Sequence, residues 1–253
     1  MKRLFLAASL AALTVVNPAF ATDIISMSDT ERDVFRAEVR AYLMENPEVL
    51  LEAIAVLEDR QASEDASNDT ALLLDNADAI YNDGVSYVGG NPDGDITIVE
   101  FSDYRCPYCK RAHPEVADLV ESDGNIRLIY KEFPILGPES LATAKFAMAT
   151  LMVSGPEAYE AVSSGLMDLR GAPSSDALIK LAKANDLDVD AVMAKMDSSE
   201  VTQAIQANRA LGQALKISGT PTFIMGDQII RGYVPLENMR AIVAEARAEA
   251  RKD

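Results

Sequence analysis

Apolar residues recur every three or four positions from Val34/Phe35 through Val39 to Tyr42/Leu43, and again through Leu50, Leu51, Ile54 and Leu57. This predicts two helices parted at Asn46-Pro47, because the residue before proline avoids helical dihedrals. Asp29 stands where a cap would open the first. Gln61–Thr70 is polar, small and acidic, reading as a linker or an exposed helical extension. Leu72, Leu73, Leu74, Ala77, Ile80 and Tyr81 predict a further helix. The pattern then changes: Ser86-Tyr87-Val88, the turn Asn91-Pro92-Asp93-Gly94, and Ile96–Phe101 read as strand, turn, strand. Helical spacing returns over 107–120, and Ile126–Tyr130 is a strong strand. Strand, helix, strand at this separation make a βαβ unit with a parallel pair. Residues 139–216 carry no strand signal, and starts at Pro138, Pro156, Pro173 and Ser198 divide them into four or five helices. Thr222–Met225 and Ile229–Tyr233 flank Gly226-Asp227-Gln228 as an antiparallel hairpin. A helix from Leu236 to about Arg251 closes the chain.

The first residues read as an address rather than as structure. Lys2 and Arg3 precede the uncharged, mostly apolar stretch Leu4–Val16, and Ala19-Phe20-Ala21 fits a small-x-small cleavage site. The stretch falls short of the roughly 20 apolar residues a spanning helix needs. Residues 1–21 are therefore expected to be a secretory signal peptide, which places the mature chain in the periplasm and its cysteines where a disulfide persists. Residues 22–70, an apolar helical stripe with a polar tether, have little to bury against within themselves. They are expected to dock on the main domain or on copies of themselves, and self-association into a homo-oligomer is the favoured expectation.

Composition narrows the chemistry. Of 253 residues 49% are hydrophobic, and Lys+Arg 23 against Asp+Glu 40 leaves a net charge of −17. A field of that sign repels nucleic acid and anionic lipid, so no nucleic-acid partner is expected. With a single histidine, zinc sites and Ser-His-Asp or Cys-His chemistry would all have to rest on His113. Two cysteines are too few for a disulfide scaffold. They stand as Cys106-Pro107-Tyr108-Cys109 at a strand-to-helix passage. There, unpaired N–H groups stabilise an anion, and Arg105, Lys110 and Arg111 add positive charge. A nucleophilic cysteine must be a thiolate. Cys106 is thus read as the exposed nucleophile and Cys109, one turn on, as the resolving thiol of an exchange through mixed disulfides.

FSDYRCPYCK after a βαβ entry, a helical insertion, and Gly219-Thr220-Pro221-Thr222-Phe223 before a hairpin resemble the thioredoxin fold of periplasmic DsbA-like thiol-disulfide oxidoreductases, over about residues 85–250. With the N-terminal extension, the likeness is greatest to the suppressor-of-copper-sensitivity and outer-membrane-antigen types. It implies an α/β thioredoxin fold in two parts, 71–138 with the cysteines and 217–253 with a cis-proline, around a helical insertion at 139–216. Pro221 matches the cis-proline with Thr220 before it, and these, with Pro107 and Tyr108, are implied to meet substrate. Pro114 matches a helix-kinking proline. Glu100 matches a buried acid under the resolving cysteine, able to move its proton, and Lys131 that acid's basic partner. Isomerase or reductase action is favoured, on cysteine-containing secreted proteins and with a membrane thiol-disulfide redox partner, needing no organic cofactor or metal. The Pro-Tyr dipeptide does not by itself set redox direction, so an oxidase is the first alternative. A periplasmic copper(I)-binding protein is another, since two thiolates suit a soft ion.

Overall fold

The computed structural model describes residues 27–251; the expected signal peptide lies outside them. The chain divides into two compact units, one ending at Arg60 and the other beginning at Gln61. In the first, α1 (Asp29–Glu45) opens with a capping box in which Glu31 N–H donates to Ser28 Oγ and Ser28 N–H donates to the Glu31 carboxylate, so Ser28 rather than Asp29 is the cap. The helix ends at Asn46, before Pro47. No residue of α1 is buried. Next, α2 (Glu48–Asp75) includes the polar Gln61–Thr70 stretch, which takes the helical of its two expected forms.

In the second unit α3 (Ala77–Tyr81) and β1 (Tyr87–Gly90) lead to β2 (Ile96–Ser102), α4 (Pro107–Asp123) and β3 (Ile126–Glu132). Strands β2 and β3 are parallel, from Ile96 beside Ile126 to Ser102 beside Glu132, which is the expected βαβ unit. The first strand, however, skips β2 and pairs antiparallel with β3. Five helices then follow without a strand: α5 (Pro138–Ser154), α6 (Pro156–Asp168), α7 (Ser175–Ala184), α8 (Val189–Lys195) and α9 (Ser199–Ala214). Pro138 and Pro156 each occupy a first turn. The start expected at Pro173 is set instead by the Ser174 cap, and α8, unmarked by proline or serine, is capped by Asp188.

The chain re-enters the sheet through the hairpin β4 (Thr222–Met225) and β5 (Gln228–Arg231), joined by Gly226-Asp227. Gly226 takes φ +63°, the left-handed conformation a two-residue turn requires. The last helix, α10 (Leu236–Ala250), completes a five-stranded sheet of order β1-β3-β2-β4-β5. Side chains alternate between two faces. Ile96, Ile98, Ile126, Phe223 and Met225 pack with Val116 and Leu119 of α4 and Met239 and Val243 of α10. Val99, Phe101, Ile129, Phe133 and Ile224 pack with Leu73, Ile80, Leu211 and Leu215 on the other side. The insertion helices form a third cluster with Tyr104, both cysteines and Tyr130.

Candidate active site

Cys106 caps α4 and Pro107 fills its first turn, so the cysteine backbone is extended (φ −77°, ψ 122°) while the following N–H groups have no partner within the helix. Cys106 is held down to about 5, chiefly by the Cys109 thiol, with the Thr220 side chain and the backbone N–H groups of Cys109 and Tyr108 adding, against the opposing effect of burial. Cys109 is pushed far up, by burial first, then by Cys106 and the nearby Glu100 carboxylate. Both cysteines are free thiols. The exposed nucleophile expected at Cys106 is nearly covered, at 6% exposure. Its Sγ–H donates to the Thr220 carbonyl at 3.1 Å, which places the Thr220–Pro221 loop over the sulfur. That Thr220–Pro221 bond is cis.

Beneath Cys109 lies Glu100, 1% exposed, with neither carboxylate oxygen hydrogen-bonded; burial pushes it up to about 7. In register it faces Tyr130 on β3 and Phe223 on β4. Lys131 is not its partner. It is beside Phe101, one residue out of phase with Glu100, and a side chain one residue along a strand points to the opposite face. Its Nζ donates to Asp83 Oδ2 at 2.7 Å and to the Ala79 carbonyl at 2.8 Å, which satisfies a fully buried amine. Pairing Glu100 with Lys131 is thus corrected: among the described residues no basic side chain hydrogen-bonds the acid.

A second buried acid, unmarked by the sequence reading, shares the Glu100 face. Glu132 ends β3, and its Oε1 accepts the phenol protons of Tyr104 at 2.7 Å and Tyr159 at 2.6 Å. Burial pushes Glu132 up to about 8, with Asp103 and Glu100 adding to the shift. What groups it with Glu100 is the β2–β3 register, which sets Glu100 beside Tyr130, two residues before Glu132 on the same face. Asp103 is a further site residue with no signal in the sequence. Its carboxylate accepts from the N–H groups of Arg105, Ile135 and Leu136, and its carbonyl from the Cys106 N–H at 2.9 Å.

The basic residues around the cysteines also serve as clips. Lys110 Nζ donates to the carbonyls of Met167 and Leu169 at the end of α6. Arg105 reaches the Gly171 carbonyl and pairs with Glu139 at 2.9 Å. Arg111 lies 4.4 Å from the ring centre of Tyr233, on which the exposed Tyr108 stacks. Pro114 lies inside α4. His113, its charge disfavoured mainly by burial, sits 3.1 Å from Ser164 Oγ. A cavity of ≈540 Å³ lined by His113, Val116, Tyr159 and Ser164 reaches Glu100 and Tyr130. Among the described residues no group of three or more His, Cys, Asp or Glu stands ready to hold a metal ion.

Residues 82–245 match the thioredoxin family model, and residues 31–64 match the copper resistance protein ScsC N-terminal domain. Among solved structures, a thioredoxin-like oxidoreductase from Silicibacter pomeroyi is 38% identical, over 68% of this chain and 97% of its own, with a TM-score of 0.63. The thiol-disulfide exchange protein alpha-DsbA2 of Wolbachia pipientis is 27% identical over 71% and 96%, at 0.67. Proteus mirabilis ScsC in a transitional conformation is 28% identical over 88% of this chain and 100% of its own, at 0.64. The chain also matches, at 27% identity over 168 residues, an Na(+)/H(+) antiporter of Salinispora tropica, but spans only 25% of that protein's length.

Proposed function

The chain belongs to the thioredoxin family, its relatives being DsbA-like and ScsC-type thiol-disulfide oxidoreductases, and from that premise we propose that it is a periplasmic enzyme that reduces or reshuffles wrong disulfides in secreted proteins. The observation that carries the reading is the division of labour within one helical turn. Cys106 caps α4, where the N–H groups of Tyr108 and Cys109 favour its thiolate, whereas Cys109, fully buried one turn on, is held as the thiol.

In this mechanism the Cys106 thiolate attacks a client disulfide. A Cys106–client bond forms, and the other client sulfur leaves as thiolate. If a client thiolate then attacks the mixed disulfide, the client disulfide is rearranged and the enzyme returns reduced, with no net electron transfer. Alternatively Cys109 attacks the Cys106 sulfur, which oxidises the enzyme and reduces the client. Its proton passes to Glu100, and a membrane dithiol partner must restore the enzyme. The exposed Tyr108, with Pro107, Thr220 and Pro221, forms the surface that meets the client.

The arm favours isomerisation over simple exchange. Val34, Phe35, Val39 and Tyr42 of α1 and Leu50, Leu51, Ile54 and Leu57 of α2 are all exposed. Their burial between copies would bring several dithiols around one client. The test compares the mature chain with a chain lacking residues 22–70, on a scrambled multi-disulfide client and in sedimentation at micromolar concentration. The arm-less form should be monomeric, should still exchange simple disulfides, and should lose most of the reshuffling. A monomeric full-length chain, or equal reshuffling by both, overturns the isomerase reading in favour of an oxidase. The match of residues 31–64 to a copper resistance domain supports one second reading, copper(I) held by the two thiolates. A Cys109→Ser chain that traps no client adducts while the parent chain binds copper(I) stoichiometrically would favour it.

A further inference from the structure

Two residues before the attacking cysteine, Tyr104 is buried, at 1% exposure, yet its phenol is part of a closed polar cluster. Its O–H donates to Glu132 Oε1 at 2.7 Å, and Tyr159 of α6 donates to the same oxygen at 2.6 Å. With its only proton on the carboxylate, the Tyr104 oxygen accepts from Ser163, 3.1 Å away on α6. Oε1 serves as acceptor whether the acid is ionised or neutral. Glu132 is itself pinned, through its backbone pairing with Ser102 and through Asn208 of α9, which donates to its carbonyl at 3.2 Å. One carboxylate oxygen therefore joins the segment ahead of Cys106 to the inserted helices.

We infer that Glu132 is a positioning residue for the attacking thiolate, acting through Tyr104 to hold the 103–106 turn and keep the Cys106 sulfur aimed at the helix N–H groups. The turn has other anchors: Asp103 accepts from Arg105, Ile135 and Leu136, and Arg105 reaches Glu139 and Gly171. Tyr104 is the side chain among these that ties the turn to the buried Glu132 carboxyl and, through it, to Tyr159 of α6. Hydrogen bonds to a sulfur anion weaken steeply with misalignment, so a loosened turn weakens every donor on Cys106 together. The inserted subdomain thus sets the reactivity of a cysteine that lies outside it.

The test uses the reduced full-length chain, with thiolate absorbance near 240 nm read against pH and the rate with a small disulfide measured in parallel. Tyr104→Phe should raise the Cys106 titration midpoint by about one pH unit, a tenfold change in its acid constant. Glu132→Ala should do the same, and the double variant should be no worse than Glu132→Ala, since both act in one link. Glu132→Gln, which keeps the acceptor oxygen, should stay within a factor of two of the parent. A purely structural role would lower the melting temperature without moving the midpoint of the folded chain. An unmoved midpoint in a folded Tyr104→Phe chain overturns the inference, as does a shift that Glu132→Ala fails to reproduce. If Glu132→Ala does not fold, Tyr159→Phe takes its place, with the same expected direction. Should Cys106 of the parent chain fail to titrate below Cys109, it is the exchange mechanism that falls, a result separate from these.

Discussion

On one side of β3, Lys131 is buried against Asp83 and the Ala79 carbonyl, a cation with its counter-charge and acceptor at hand. On the other, Glu100 and Glu132 are buried just as deeply and, among the described residues, neither is ion-paired; the Glu100 oxygens lack a hydrogen-bond partner and Glu132 is held by two phenols. The contrast separates two uses of buried charge. A paired charge is neutralised and serves the fold, because removing either partner strands the other in low dielectric. An unpaired acid is held away from its ordinary pKa and is free to exchange a proton near the dithiol.

The largest effect expected from this contrast is on stability. Glu100 ionises near 4.5 when unfolded but near 7 in the fold, so over that window the native state binds the additional proton. The Glu100 contribution to stability therefore falls as pH rises from 4.5 to 7, by about 3 kcal/mol, and is constant above. Urea melts of the parent chain and of Glu100→Gln across pH 4.5–8 should differ by that slope, and parallel curves would break the comparison. The same variant should slow the release of a thiol from a mixed disulfide at Cys106 by about a hundredfold, about 2.7 kcal/mol, because Cys109 loses its proton acceptor. Stopped-flow release of a labelled thiol measures this step; an unchanged rate would remove Glu100 from the chemistry.

Effects on the paired side should be smaller and confined to the fold. Lys131→Met leaves Asp83 and a carbonyl short of a donor and should cost about 2 kcal/mol in denaturant melts, with exchange changed less than twofold. A larger loss of exchange would return Lys131 to the active site. Asp83→Asn keeps an acceptor oxygen for Ser86 and Val85, and should cost only about 1 kcal/mol. Its effect sharpens the comparison if the double variant with Lys131→Met is no worse than the lysine change alone.

Much of this site is legible in the sequence. Two cysteines in one helical turn, a proline in the first turn, a strand just upstream and a Thr-Pro before a hairpin are signals confined to a few neighbouring residues. Caps, turns and helical periodicity act locally, so the sequence itself determined the helix runs, the βαβ unit, the uninterrupted helical insertion and the place of Cys106 and Cys109 on α4. Which face Glu100 and Lys131 occupy was not legible. β2 and β3 are buried on both sides near their ends, so Val99 to Ser102 and Ile129 to Glu132 show no polar alternation to read. The parallel register between them put Glu100 beside Tyr130 and Lys131 beside Phe101. Only the tertiary structure decided that, along with the pairing of β1 to β3, the cover over Cys106 and the meeting of Tyr104, Glu132 and Tyr159. Those contacts join residues 27 to 114 positions apart, and a partner so distant is chosen by how layers pack rather than by anything its neighbours in the chain encode.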